Sequence, residues 1–111
     1  MMDQIPKLNT DHAYLYIWRF KVVLDKETEF QRIYGPEGEW VRLFKQGEGY
    51  RQTLLLKDLD APGAYTTVDV WESEAAYNTF KKKFAAEFEA LDKYCENLTE
   101  CEVLVGRFES I

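Results

Sequence analysis

The sequence predicts an α+β fold of the ferredoxin-like type, βαββαβ, with a four-stranded antiparallel sheet and both helical segments on one face. Three observations lead there. Four segments dominated by aromatic and β-branched residues are separated by stretches of helical periodicity. Only the second and third strands are joined by a short turn. The later helical stretch keeps one apolar stripe from Tyr77 to Leu98. At 111 residues the chain is one domain, read as an arm over residues 1–12 and a domain over residues 13–111.

Ala13 to Val23 (AYLYIWRFKVV) is the first strand. Tyr14, Tyr16, Trp18, Phe20 and Val22 share one face; Leu15, Ile17 and Val23 lie on the other. Apolar residues on both faces mark a central, covered strand. Asp25 is placed to cap the helix that follows, with Lys26, Glu27 and Glu29 in its first turn and Phe30 and Ile33 on its apolar side. Gly35-Pro36-Glu37-Gly38 interrupts the pattern, as a kink or as a lid. The pattern resumes at Glu39 with Trp40, Val41, Leu43 and Phe44, and stops near Gly47-Glu48-Gly49. Tyr50 to Lys57 is the second strand, Asp58 to Gly63 a turn, and Ala64 to Glu72 the third strand. Ser73 is a good N-cap for one long helix. Its stripe (Tyr77, Phe80, Phe84, Phe88, Leu91, Cys95, Leu98) advances by three or four residues each time, and Lys81-Lys82-Lys83 forms a solvated side. Thr99 to Phe108 is the fourth strand.

Composition excludes several classes of function. A net charge of −6 repels phosphate backbones, which argues against nucleic acid as a partner. The longest apolar runs, Leu54 to Leu56 and Val103 to Val105, fall far short of the ~20 residues of a membrane span. No secretory leader is recognisable, so the expected compartment is the cytoplasm, where Cys95 and Cys101 stay thiols. Their C-x5-C spacing has no neighbouring histidine and is not a zinc pattern; both are read as small buried hydrophobes. His12, the only histidine, lies in the loop leading to the first strand, so a metal site built on several histidines is excluded.

Helices cover one face of such a sheet, yet the other face carries Ile17, Val68, Val70, Val103 and Val105. An apolar sheet face of that size is seldom left in water. A second copy packed sheet to sheet, ~10 Å away, covers it in the expected homodimeric α+β barrel. Arg19 falls on that outer face and pairs with an acidic group there; Arg107 is read the same way.

The first strand YLYIWRFKV, Gly49-Tyr50 opening the second, and the third strand running into Trp71-Glu72-Ser73-Glu74-Ala75 together resemble the antibiotic biosynthesis monooxygenase-like domains of the dimeric α/β-barrel superfamily. The resemblance runs from about Tyr14 to Phe108. It implies oxidation of quinols, anthrones or similar phenols by O2 with no metal or flavin cofactor, in a pocket between the sheet and its own helices. It also implies that Trp71 faces this pocket, and alternation then puts Asp69, Thr67 and Tyr65 on the same side. The haem-cleaving branch of the superfamily uses a helix histidine and a first-strand asparagine; here Glu74 to Leu98 has no histidine and Trp18 stands at the strand position.

With Trp71 as anchor, the expected substrate-binding residues are Tyr16, Trp18, Gln52, Tyr65, Trp71 and Tyr77, with Tyr14, Phe20, Tyr50 and Leu54 on the same face. This set is aromatic with a few polar groups, as suits a small, flat phenolic ligand. Asp69 is the candidate catalytic base: it stands between Val68 and Val70, where burial raises a carboxyl pKa into a useful range. The other reading gives Asp69 a structural hydrogen bond to a tyrosine hydroxyl or the backbone. Two further functions fit the same residues: a dimeric module that captures an aromatic metabolite without reaction, and a structural dimer whose aromatic interior is only core.

Overall fold

A computed structural model describes residues 11–111. The strands are β1 (Tyr14–Val22), β2 (Tyr50–Lys57), β3 (Ala64–Trp71) and β4 (Thr99–Glu109). They form one antiparallel sheet in the order β2-β3-β1-β4. The helices are α1 (Glu27–Tyr34), α2 (Glu39–Phe44), α3 (Glu74–Lys83) and α4 (Ala85–Cys95), so the expected ferredoxin-like α+β fold is present. The predicted arm falls outside the described residues except for Asp11 and His12. His12 is exposed, in the left-handed region at φ 50°, with its imidazole 3.7 Å from the Asp11 carboxylate.

Two helical expectations are corrected. Asp25 does not cap α1: it sits in a 3-10 turn over Leu24–Lys26, and the cap position, Lys26, makes no side-chain capping bond. The long helix after Ser73 is two helices, broken at Phe84 (φ −111°, ψ 29°). Phe84 lacks a capping side chain, and its neighbours contain neither glycine nor proline. The stripe persists across the break, because Phe80 and Cys95 are buried in the core with Phe84, Phe88 and Leu91 packed against it. Ser73 does cap α3, its hydroxyl accepting from the Ala76 N–H at 3.0 Å. Ser73→Ala is expected to cost about 1 kcal/mol in urea unfolding, while Ser73→Asp retains the cap and the stability.

The main core lies between the helices and the sheet face of Tyr14, Tyr16, Phe20, Tyr65 and Trp71. Trp71 is fully buried and packs on Phe80 at 5.0 Å between ring centroids and on Tyr50 and Tyr77 at 5.4 Å each. The backbone at Gly47 passes so close that a Cβ there would stand 2.8 Å from Phe80 and 3.0 Å from Trp71, which explains the glycine. On the opposite face Ala13, Val68 and Val70 form a smaller cluster with Leu15, Ile17 and Leu54. The edge strand β4 leaves Val103, Leu104, Val105 and Phe108 exposed.

Arg19, on the outer face, pairs with Asp58 of its own chain at 2.9 Å. Arg107 does not share that face: it lies opposite Tyr16, on the helix side, and pairs with Glu74 at the start of α3. Cys95 is buried as expected, but Cys101 is exposed near the start of β4.

Candidate active site

The sheet floor and the helical roof enclose a cavity of about 210 Å³. Three strands supply the floor: Tyr16, Trp18 and Phe20 from β1, Asp69 and Thr67 from β3, and Thr53 from β2. Tyr34, Trp40 and Phe44 close it from α1 and α2, and Tyr77 and Phe88 from α3 and α4. Lys81, Asp92 and Glu102, all exposed residues, carry charge at its rim. The Lys81 ammonium lies 4.8 Å from the Phe88 ring centroid and 5.7 Å from that of Tyr77, a cation–π seat at the mouth.

Asp69 is the buried carboxyl of this floor, 5% exposed. Burial pushes its carboxyl from 3.8 up to about 7, opposed by one hydrogen bond from the Thr53 hydroxyl to Oδ1 at 2.5 Å. Tyr16 is its register partner on β1. Burial, with Asp69 beside it, holds the Tyr16 hydroxyl well above the ordinary phenol range. Burial likewise pushes Tyr77 up to about 12, so both phenols remain neutral donors near neutral pH. The Tyr16 and Tyr77 rings lie 4.7 Å apart.

Of the residues expected at the site, Tyr16, Trp18, Asp69 and Tyr77 come together on the cavity. Trp71 lies behind them in the core and donates its indole N–H to the Tyr16 hydroxyl at 3.2 Å, so it orients a wall residue rather than forming the wall. Tyr65 is buried at the far end, its hydroxyl accepting from Gln31 and donating to Glu27, each at 2.7 Å. Gln52 is not on this face. A bulge puts Tyr50 opposite Trp71 and Gln52 opposite Val70, with Arg51 as the extra residue. Alternation restarts after it, so Gln52 and Leu54 turn to the outer side and Thr53 takes the place beside Asp69.

Thr53, Trp40, Tyr34, Phe44 and Phe88 line the cavity without having been singled out as site residues. Trp40, Phe44 and Phe88 were legible as apolar helix positions, whereas Tyr34, next to Ile33 on α1, was not. Nothing in the local sequence announced Thr53, because its orientation depends on the bulge. Among the described residues, no group of three or more His, Cys, Asp or Glu side chains is arranged to hold a metal ion.

An α+β sheet domain with a buried carboxyl on the floor of an aromatic cavity is the class this architecture defines. Residues 14–92 match the antibiotic biosynthesis monooxygenase family, and the chain belongs to it. No curated protein matches the chain. Among solved structures, a Bordetella bronchiseptica protein assigned to the same family superposes with a TM-score of 0.69 at 17% identity, over 91% of this chain and 99% of that one. PA3566 from Pseudomonas aeruginosa gives 0.66 at 12% identity, over 93% and 98%. SnoaB from Streptomyces nogalater, a cofactor-independent oxygenase, gives 0.60 at 20% identity, over 91% and 95%. At these identities the likeness is one of fold. No helix among the described residues is long and apolar enough to cross a membrane.

Proposed function

We propose that the chain is a cofactor-independent monooxygenase that oxidises a flat, hydroxylated aromatic of quinol or anthrone type with O2. One observation carries this reading: a carboxyl titrating near 7 on the floor of an aromatic cavity. In the proposed reaction Asp69 removes a proton from the substrate, because the resulting electron-rich anion passes an electron to O2 far more readily than the neutral form. Recombination of the radical pair makes a carbon–oxygen bond. Cleavage of the peroxide then leaves one oxygen atom in a carbonyl. With an anthrone, the other departs as water, taking both hydrogens of the substrate methylene. The substrate thus supplies all the electrons. Tyr16, Trp18 and Tyr77 stack on the ring system, and the aromatic walls keep water from the anion.

The test is an oxygen electrode with a panel of reduced quinols and hydroxylated polycycles in metal-free buffer. O2 uptake with appearance of the quinone supports the reading. Quenching of tryptophan fluorescence by the same compounds with no O2 uptake makes capture of an aromatic metabolite the function instead.

The same proposal includes a homodimer and a cytoplasmic setting, where Cys101 stays reduced. Exposed Val103, Val105 and Phe108 on β4 extend the apolar outer face begun by Ile17 and Val68, and a second copy covers it. Native mass spectrometry should give twice the 13.1 kDa chain mass, and Val103→Glu should shift the population to monomer. A wild-type monomer at micromolar concentration rules out the barrel.

A further inference from the structure

Thr53 Oγ1 donates to Asp69 Oδ1 at 2.5 Å and lies 2.8 Å from Tyr50 Oη. A threonine hydroxyl has one proton to give. With that proton directed at Asp69, the Tyr50 contact has one sense: Tyr50 donates and Thr53 accepts. Three oxygens therefore form a directed chain. Its inner end is buried, since Thr53 is 8% and Asp69 5% exposed. Its outer end, Tyr50, is partly exposed at the start of the edge strand β2.

Resting on the reading of Asp69 as the base, we propose that Thr53 and Tyr50 are its proton route to solvent, one that leaves the substrate cavity at Thr53 and ends at Tyr50, outside the cavity lining. A proton on Asp69 Oδ1 passes to Thr53 as the Thr53 proton passes to Tyr50 and the Tyr50 proton to water. Each hydroxyl gains one proton and loses one, and the chain ends with its sense reversed. Asp69 also lines the cavity, and in the proposed route Oδ1 serves the chain, leaving the other oxygen for the substrate.

The route answers a specific difficulty. A carboxyl titrating near 7 is protonated in a large share of molecules at neutral pH. A ligand bound over protonated Asp69 cannot be deprotonated by it, and the bound ligand, with the rings of Tyr16, Trp18 and Tyr77, closes the cavity path to water. A route that leaves the cavity through Thr53 and Tyr50 lets Asp69 ionise with the ligand in place. The bulge at Arg51 is what brings the Thr53 hydroxyl to this position. The other titratable groups facing this carboxyl or its cavity are Tyr16 on β1, Tyr34 on α1, Tyr77 on α3, and Lys81, Asp92 and Glu102 at the rim.

The test follows the Asp69 side-chain carboxyl carbon by NMR through a pH titration with the cavity filled by naphthalene, a flat aromatic with no acidic proton, at a concentration that saturates its quenching of tryptophan fluorescence, with Asp69→Asn assigning the signal. In the wild type the protonated and ionised forms exchange quickly and one averaged peak moves through a midpoint near 7. Thr53→Val should raise the midpoint, because it removes a bond that favours the carboxylate. It should also slow exchange by about tenfold or more, broadening or splitting the peak. Thr53→Ser should restore both. Tyr50→Phe should broaden the peak with a smaller change of midpoint; it also tests the route should Thr53→Val fail to fold. A peak as sharp as wild type in either Thr53→Val or Tyr50→Phe overturns the proposal. This readout needs no substrate, so a failure to detect O2 uptake counts against the proposed reaction and leaves the route to be judged by the titration.

Discussion

Asp69→Asn is expected to remove O2 uptake, by about a hundredfold or more, the usual worth of a positioned general base. The amide keeps the shape of the carboxyl and still offers a carbonyl oxygen to the Thr53 hydroxyl, but it cannot take a proton. The pH dependence should follow the same group. Asp69 works in its ionised form, and burial raises its midpoint to about 7. Wild-type kcat/KM should therefore climb as pH rises through about 7 and level off above it. Turnover in Asp69→Asn equal to wild type would remove Asp69 as the base.

The same substitution should stabilise the protein. Asp69 titrates at 3.8 when free and at about 7 when folded. Below 3.8 both states are protonated and the group costs nothing. Between 3.8 and about 7 the unfolded chain ionises while the folded one resists, so stability falls as pH rises. Above about 7 the full difference is in force, worth about 4 kcal/mol. Asparagine has no charge to desolvate. Asp69→Asn should therefore melt on the order of 10 °C higher than wild type in alkaline buffer, with the gap closing as pH falls toward 4. A variant less stable than wild type at every pH would mean that the carboxyl is chiefly a structural hydrogen-bond partner. Activity and stability moving in opposite directions is the pattern expected of a group held in an unfavourable state for its chemistry.

The strands, the turn at Asp58 to Gly63 and the break at Gly35 to Gly38 were legible because each has a local chemical cause. β-Branched and aromatic runs favour extended chain, and glycine with proline ends a helix. Asp69 was legible as well, since a carboxyl between Val68 and Val70 on a covered strand has nowhere polar to turn. Two features depend on contacts far away in the sequence and left no local mark. The break at Phe84 preserves the three-and-four spacing, so periodicity passes over it. The bulge at Arg51 is set by how β2 pairs with β3, and strict alternation carried through it selected Gln52 where Thr53 belongs.

That bulge has a bearing on how such a site is retuned by mutation. β2 is the edge of the sheet and bonds only to β3, so forming or losing a bulge at its start disturbs a single neighbour. Pairing without the bulge would set Arg51 opposite Val70 and Gln52 opposite Asp69, so the group offered to the carboxyl is threonine or glutamine, hydroxyl or amide, according to whether the bulge forms. The central strands, with Tyr16, Trp71 and the rest of the core on them, stay as they are. One shift of pairing can thus change the chemistry presented to the carboxyl in a single step, where the same change at the middle of the sheet would disturb two neighbouring strands.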